Sequence, residues 1–275
     1  MKRALWLLSL FLAACTGSQE PALPALLAAG GEGEVAFYRT ADLQGSAPSP
    51  VATWTVPELQ DLAYSQGFWR LYLLFPDRLE AYETSGFSAS AAPQGTPQVA
   101  PLPPGADCTG GYLRLGQRAL LAHCPSAGKA FLFPLPDPSA QGEADLTGLP
   151  SSSRLALLPM GGQDLLAYLT GEAMGYRPAQ DPSGTPALER GLDAPLLGNP
   201  WDLRADGSRG RLLGLGPTAT EVRLYTLQGE ALQSRKVLGD GLGEARLALD
   251  PVVGLVAFGR GFQVLEPRDS GPQET

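Results

Sequence analysis

The chain has 275 residues, with 28 Asp and Glu against 20 Lys and Arg, and its formal net charge is −8. A chain this acidic repels phosphate backbones and no basic run offsets the charge, so nucleic acid is not expected as a partner. Gly and Pro make up more than a fifth of the residues, which indicates many turns and no long helices.

The N-terminus begins with Lys2, Arg3 and an apolar stretch of eleven residues. The stretch is shorter than the roughly 20 residues of a membrane span and has the length and charge of a signal peptide. It ends in LAAC (12–15), which resembles the lipobox of bacterial lipoproteins. The resemblance implies a signal peptide over 1–14 and a mature chain that starts at a lipidated Cys15. An ordinary secretory signal, with Cys15 incidental, is the alternative.

Five stretches share one pattern, in which an apolar strand is followed by a short turn and a second strand. They are FWRLYLLFPDRLEAYETSG (68–86), RALLAHCPSAGKAFLFPLP (118–136), QDLLAYLTGEAMGYRP (163–178), GRLLGLGPTATEVRLYTLQGE (210–230) and VGLVAFGRGFQVLEP (253–267). Placing Leu74, Leu121, Leu166, Leu213 and Val256 in register gives spacings of 47, 45, 47 and 43 residues. Such a period, with several strands per repeat, is typical of β-propeller blades.

The repeat resembles a propeller blade in its strand order as well. A first strand, as in NPWDLRADGSRG (199–210), precedes the two core strands, and a polar outer strand, as in ALQSRKVLGD (231–240), follows them. The resemblance implies an all-β propeller, and EVAFYRTAD (34–42), with ALLAAGG (25–31) as the strand before it, raises the number of blades to six. Five blades result if VATWTVPE (51–58) closes the last repeat. A stacked β-sandwich is the other architecture that such strands allow.

Cys108 and Cys124 remain once Cys15 is acylated, and an exported chain meets oxidising conditions. A turn at Gly116-Gln117 would place them almost opposite each other on paired strands, so we predict a disulfide between them. A metal-binding cysteine pair is the alternative. It needs more ligands than His123, which strand alternation places on the other face from Cys124.

The search for a chemical site predicts no catalytic residue, no metal site and no cofactor. His123 is the only histidine, and a lone strand histidine beside a disulfide is typical of a structural role. Carboxylates near the first strands of the repeats are Asp61, Asp107, Asp202 and Glu244. Since first strands line the channel of a propeller, these four residues are candidates for an acidic lining that holds a cation or a polyhydroxylated ligand. Hydrophilic turn residues scattered around the rim are the alternative.

The predicted organisation is a signal peptide (1–14), a lipidated tether (15–33), a propeller domain (34–267) and a disordered tail (268–275). Recognition by a propeller is spread over broad loop faces and leaves no compact motif. The hypothesis is a lipid-anchored, extracytoplasmic binding or scaffolding module of the bacterial cell envelope. Its partners would be the membrane, through Cys15, and an envelope protein or glycan. A propeller enzyme of the lactonase or quinoprotein type, acting on a small substrate, is the alternative.

Overall fold

The structure is a computed structural model, and it describes residues 26–267 apart from 32, 40–41, 44–48, 66, 85–94, 140–141, 181–185, 197, 219, 229–231, 240–241, 243–244 and 251–253. The described residues form six antiparallel sheets, each built from strands that are consecutive in the chain. We number these sheets as blades 1 to 6 in chain order. The predicted all-β propeller with six blades is confirmed.

The strands have the following bounds. Blade 1 contains β1 (Leu26–Gly31), β2 (Glu34–Arg39) and β3 (Ala52–Thr55); blade 2 contains β4 (Asp61–Ser65), β5 (Arg70–Leu74), β6 (Arg78–Glu83) and β7 (Gln98–Pro101). Blade 3 contains β8 (Tyr112–Leu115), β9 (Ala119–Cys124), β10 (Lys129–Pro134) and β11 (Gly142–Glu143); blade 4 contains β12 (Arg154–Met160), β13 (Gln163–Leu169), β14 (Ala173–Pro178) and β15 (Leu188–Gly191). Blade 5 contains β16 (Asp202–Asp206), β17 (Arg211–Leu215), β18 (Glu221–Thr226) and β19 (Leu232–Val237); blade 6 contains β20 (Arg246–Asp250), β21 (Gly254–Phe258) and β22 (Phe262–Pro267).

The first strand of every blade lies at one edge of its sheet, and in blades 1 to 5 it contacts the first strand of the next blade. These six first strands, β1, β4, β8, β12, β16 and β20, therefore surround the central channel. The residues that set the sequence register, Leu74, Leu121, Leu166, Leu213 and Val256, all lie in the second strand of a blade and are buried. Strand alternation turns successive residues of a second strand towards the two neighbouring blades. A core cluster results at each junction between blades.

The ring closes by packing between blades 6 and 1. Leu27 of blade 1 is buried with Leu43 and with Val256 of blade 6, and the ring of Tyr38 lies 4.7 Å from that of Phe262, centroid to centroid. Strand β3, which the five-blade alternative assigned to the last repeat, pairs instead with β2 of blade 1, and Trp54 lies opposite Val35. The five-blade alternative is therefore wrong, because β3 does not leave its own blade.

The predicted disulfide between Cys108 and Cys124 is confirmed, with a Cα–Cα distance of 4.3 Å. The register proposed for it is wrong. Leu115 pairs with Leu120, so Gln117 and Arg118 form the turn, and Cys108 precedes β8 rather than lying within it. A tight turn in which the N–H of Gly111 donates to the carbonyl of Cys108 at 2.7 Å brings Cys108 back to the end of β9. In the described part of the chain, no helix has the length and apolarity that crossing a membrane requires.

Candidate functional site

The six channel strands share a short pattern that the repeat analysis did not detect. Their second residue is leucine in every blade: Leu27, Leu62, Leu113, Leu155, Leu203 and Leu247. Each of these leucines packs into the cluster shared with the preceding blade. The third residue is alanine in four blades and arginine in blades 3 and 5, where Arg114 and Arg204 stand. The leucines thus anchor the channel strands in the core, whereas the residue type at the first and third positions differs from blade to blade.

Polar first residues connect neighbouring channel strands through hydrogen bonds. The N–H of Leu113 donates to Asp61 Oδ2 at 2.7 Å, and the N–H of Leu155 donates to the hydroxyl of Tyr112 at 2.9 Å. In the same way, the N–H of Leu247 donates to Asp202 Oδ2 at 2.8 Å. Since the first residue of one strand reaches the second residue of the next, the first residues lie side by side at one end of the channel.

Arg114 of blade 3 crosses the channel at this end. Its Nη2 donates to Asp202 Oδ1 of blade 5, and its Nε donates to the carbonyl of Leu203 at 2.9 Å. Its Nη1 lies 3.5 Å from Asp61 Oδ2 of blade 2. The Arg114 side chain is only 5% exposed and Asp202 is fully buried. Through its contacts with Asp61 and Asp202, Arg114 joins blades 2, 3 and 5 at the axis.

Three further arginines lie around the same end, one each from blades 4, 5 and 6, and we call Arg154, Arg204 and Arg246 the arginine mouth. Arg154 Nε donates to the carbonyl of Pro200 at 3.1 Å, and Arg204 Nε donates to that of Leu247 at 2.6 Å. The guanidinium of Arg246 lies 4.2 Å from the centroid of the Trp201 ring. All three side chains are partly exposed.

The three guanidinium groups of the arginine mouth use little of their donor capacity. Each carries five N–H donors. Within the described residues, Arg154 and Arg246 have no carboxylate within 4.0 Å, and the shortest carboxylate distance of Arg204 is 3.8 Å, from its Nε to Asp202 Oδ2. Arg246 Nη1 makes one long contact of 3.5 Å with the carbonyl of Ala245, so most of the N–H donors of the three groups are available to a ligand.

Electrostatics at the mouth are dominated by positive charge. Burial, followed by repulsion from Arg114, lowers the pKa of Arg204 to about 10. Burial lowers the pKa of Arg246 as well, with repulsion from Arg154 and Arg114 adding to the effect, whereas Asp202 and Asp61 oppose it. Arg114 and the arginine mouth together bring four guanidinium groups against the two carboxylates of Asp61 and Asp202. Counted over the described residues, this end of the channel has an excess of two positive charges in a protein that is acidic as a whole.

The two carboxylates differ in environment. Burial raises the pKa of Asp61, and Arg114 only partly offsets it. For Asp202 burial acts in the same direction, but Arg114, Arg204 and the N–H of Leu247 outweigh it and lower the pKa. Asp202 is thus held as a carboxylate inside the protein, and it serves as the fixed counterion of Arg114.

His123 lies behind Tyr112, its pair across strands β8 and β9, and the two rings meet edge to face at 4.9 Å between centroids. His123 is 6% exposed, and its Nδ1 has no hydrogen-bond partner among the described residues. Burial lowers its pKa to about 4, and repulsion from Arg154 and Arg114 adds to this effect. The histidine is therefore neutral at physiological pH.

The structure brings two of the four predicted channel carboxylates together. Asp61 and Asp202 both contact Arg114 at the axis. Asp107 is exposed on a loop, where it accepts hydrogen bonds from the N–H and the hydroxyl of Thr109 at 2.9 and 2.7 Å. Glu244 and the predicted lipidation site Cys15 lie outside the described residues. The described residues contain no group of three or more His, Cys, Asp or Glu side chains placed to hold a metal ion.

No protein-family model matches the chain, and no curated protein sequence matches it. Solved structures match it in fold. A streptogramin B lyase structure superposes with a TM-score of 0.52 at 13% identity and covers 87% of this chain and 78% of that chain. A crystal structure of Hsv2 from Kluyvelomyces marxianus superposes with a TM-score of 0.50 at 9% identity and covers 85% of this chain and 84% of that chain. At these identities the likeness concerns the propeller fold alone.

Proposed function

We propose that this protein is a lipid-anchored, extracytoplasmic β-propeller that binds an anionic ligand of the cell envelope at the arginine mouth. The observation that carries the proposal is the set of three partly exposed guanidinium groups, from blades 4, 5 and 6, whose shortest distance to a carboxylate in the described part of the chain is 3.8 Å, between Arg204 Nε and Asp202 Oδ2. The guanidinium fork matches carboxylate and phosphate oxygens in a bidentate geometry.

The energetic argument favours binding over a purely structural role. Like charges gathered at one end of the channel repel one another: burial is the main cause that lowers the pKa of Arg246, and repulsion from Arg154 and Arg114 adds to it. The Arg114–Asp202 pair already joins the blades at the axis, and within the described residues the arginine mouth adds three positive charges with one ion pair, between Arg204 Nε and Asp202 at 3.8 Å. A bound anion removes this repulsion and gains charge-assisted hydrogen bonds. The acidic surface elsewhere repels anions, which makes the mouth the favoured place for them.

Replacing Arg154 or Arg246 with glutamine is expected to weaken anion binding by about tenfold or more, because each change removes charge-assisted hydrogen bonds. The measurement is isothermal titration calorimetry of the detergent-solubilised full chain with sulfate and with succinate. Arg235→Gln is the matched control, since Arg235 is exposed on the outer strand β19. The absence of binding by any anion, or an equal loss in Arg235→Gln, would contradict the proposal.

The location is tested through Cys15. Cys15→Ser is expected to abolish lipid attachment and to move the protein from the membrane fraction to the soluble fraction, because two or more acyl chains supply a stable anchor. Intact-mass spectrometry and fractionation measure the two effects, and circular dichroism checks that the propeller is still folded. If the wild-type protein carries no lipid, the anchor is wrong. If the released protein turns over a panel of lactones and esters, the enzyme alternative replaces the binding proposal.

A further inference from the structure

We infer that the anionic group recognised at the arginine mouth is a phosphomonoester, an inference that rests on the proposed anion-binding function and specifies its ligand. The first argument is the balance of charge. Arg114 is neutralised by Asp202, and Asp61 carries the other described carboxylate at this end of the channel. Four guanidinium groups lie at the same end, so two positive charges remain when the described residues are counted. A phosphomonoester supplies between 1.5 and 2 negative charges at about pH 7, whereas a single carboxylate supplies one.

The second argument is the arrangement of donors. Arg154, Arg204 and Arg246 come from three successive blades and approach the axis from different directions. Their anchoring contacts lie close together in the chain: Arg154 bonds to Pro200, Arg246 stacks on the adjacent Trp201, and Arg204 bonds to Leu247, the residue after Arg246. A planar carboxylate has two oxygens and satisfies one fork. A phosphomonoester has three strong acceptor oxygens pointing in different directions, which matches three guanidinium groups from three blades.

The contacts of the arginine mouth also leave most of its donors free. Arg154 and Arg204 each donate through Nε to a backbone carbonyl, which holds the side chain in place, and Arg154 also interacts with the Tyr112 hydroxyl. Arg246 is held by its stacking on Trp201 and by a contact of 3.5 Å from its Nη1 to the carbonyl of Ala245, so one of its two terminal nitrogens is partly occupied. The guanidinium groups are thus oriented by the protein before the ligand arrives, which reduces the ordering cost of binding.

A phosphomonoester at this position has two possible sources, a soluble phosphate ester and the headgroup of a lipid. Both are tested by calorimetry on the detergent-solubilised full chain. Glycerol phosphate is the soluble probe, and detergent micelles with and without phosphatidic acid supply the lipid probe. Sulfate, which keeps two charges throughout the pH range, and succinate, which has two carboxylates, are the comparison ligands.

Acidification distinguishes the phosphomonoester from the other anions. Its second pKa is about 6, so between pH 8 and pH 5 it loses one charge while the arginines keep theirs. We expect the affinity for glycerol phosphate or phosphatidic acid to fall at least tenfold over this range, and the affinity for sulfate to change little. The described titratable groups around the mouth are Asp61, Asp202, Tyr112 and His123. Their protonation affects both ligands, so the sulfate titration controls for any pH effect that comes from the protein.

Arg154→Gln and Arg246→Gln are expected to reduce the affinity for the phosphate probes about tenfold to a hundredfold, and Arg235→Gln is expected to leave it unchanged.

Each outcome separates the inference from the proposed function. Tight, pH-dependent binding of glycerol phosphate supports a soluble phosphate ester, and binding only to micelles with phosphatidic acid supports a lipid headgroup. If sulfate or succinate binds as tightly as both phosphate probes at pH 8, the phosphomonoester inference is overturned and anion binding stands. If none of the probes binds, both fail.

Discussion

Asp202→Ala is expected to destabilise the propeller by about 3–5 kcal/mol, because it leaves a buried charge without its partner. The Asp202 side chain is fully buried and Arg114 is 5% exposed, so water cannot replace the lost carboxylate without a rearrangement. The N–H groups of Leu203 and Leu247 lose their acceptor in the same step. The lost contacts involve blades 3, 5 and 6, which carry Arg114, Leu203 and Leu247. The free energy of unfolding is measured by urea denaturation followed by circular dichroism.

Two further variants show whether the loss comes from the ion pair. Asp77→Ala removes a carboxylate whose side chain is 74% exposed and is expected to leave the urea midpoint close to that of the wild type. In a double variant with Arg114→Met, no unpaired guanidinium remains, so the combined loss is expected to be smaller than the sum of the two single losses. Strict additivity, or an Asp202→Ala variant as stable as Asp77→Ala, would show that the pair does not hold the blades together.

The number of blades was predictable because second strands carry a strong apolar signal at a nearly constant spacing. Leu74, Leu121 and Leu213, for example, are completely buried in equivalent strands of three blades. The closing blade was harder to assign, since β3 is short and could pair with either of two repeats in a sequence comparison. Its pairing with β2 is settled by the core that Val35, Phe37 and Val56 form with blade 2.

The arginine mouth could not be found from the same register. The spacing between the channel leucine and the register residue of the second strand differs from blade to blade: Leu113 precedes Leu121 by 8 residues, whereas Leu62 precedes Leu74 by 12. An alignment on the second strands therefore scatters the first strands. An alignment on the leucine at the second position of the channel strand recovers them, and it would have placed Arg114 and Arg204 at equivalent sites.

The acidic residues at the axis were noticed in the sequence, but their arginine partners were not. Asp202 and Arg114 are 88 residues apart and meet only because the ring brings blades 3 and 5 to a common channel. A carboxylate pattern alone suggests a cation site, whereas the structure surrounds the same carboxylates with guanidinium groups. Long-range charge pairing of this kind depends on tertiary geometry and has no local sequence signal.

The free energy of unfolding is expected to decrease by about 3 kcal/mol as the pH falls from 6.5 to 4, because of His123. Over this range the unfolded chain binds a proton at His123 more readily than the folded protein does. The folded pKa of His123 is about 4, against 6.5 for an unperturbed histidine, because burial disfavours the imidazolium and Arg154 and Arg114 repel it. The unfolded state therefore binds the proton more readily, and stability rises with pH from 4 to 6.5. The contribution is fully present above pH 6.5.

The measurement compares the pH dependence of urea unfolding in the wild type and in His123→Phe, which keeps an aromatic ring against Tyr112 and removes the titrating group. Other groups titrate nearby but are common to both proteins. The raised pKa of Asp61 makes its contribution decrease as the pH rises above 3.8, and the lowered pKa of Asp202 makes its contribution disappear only below 3.8. The difference between the two proteins therefore isolates His123. Parallel pH profiles from 6.5 to 4 would mean that the histidine accepts its proton as easily in the folded protein as in the unfolded chain.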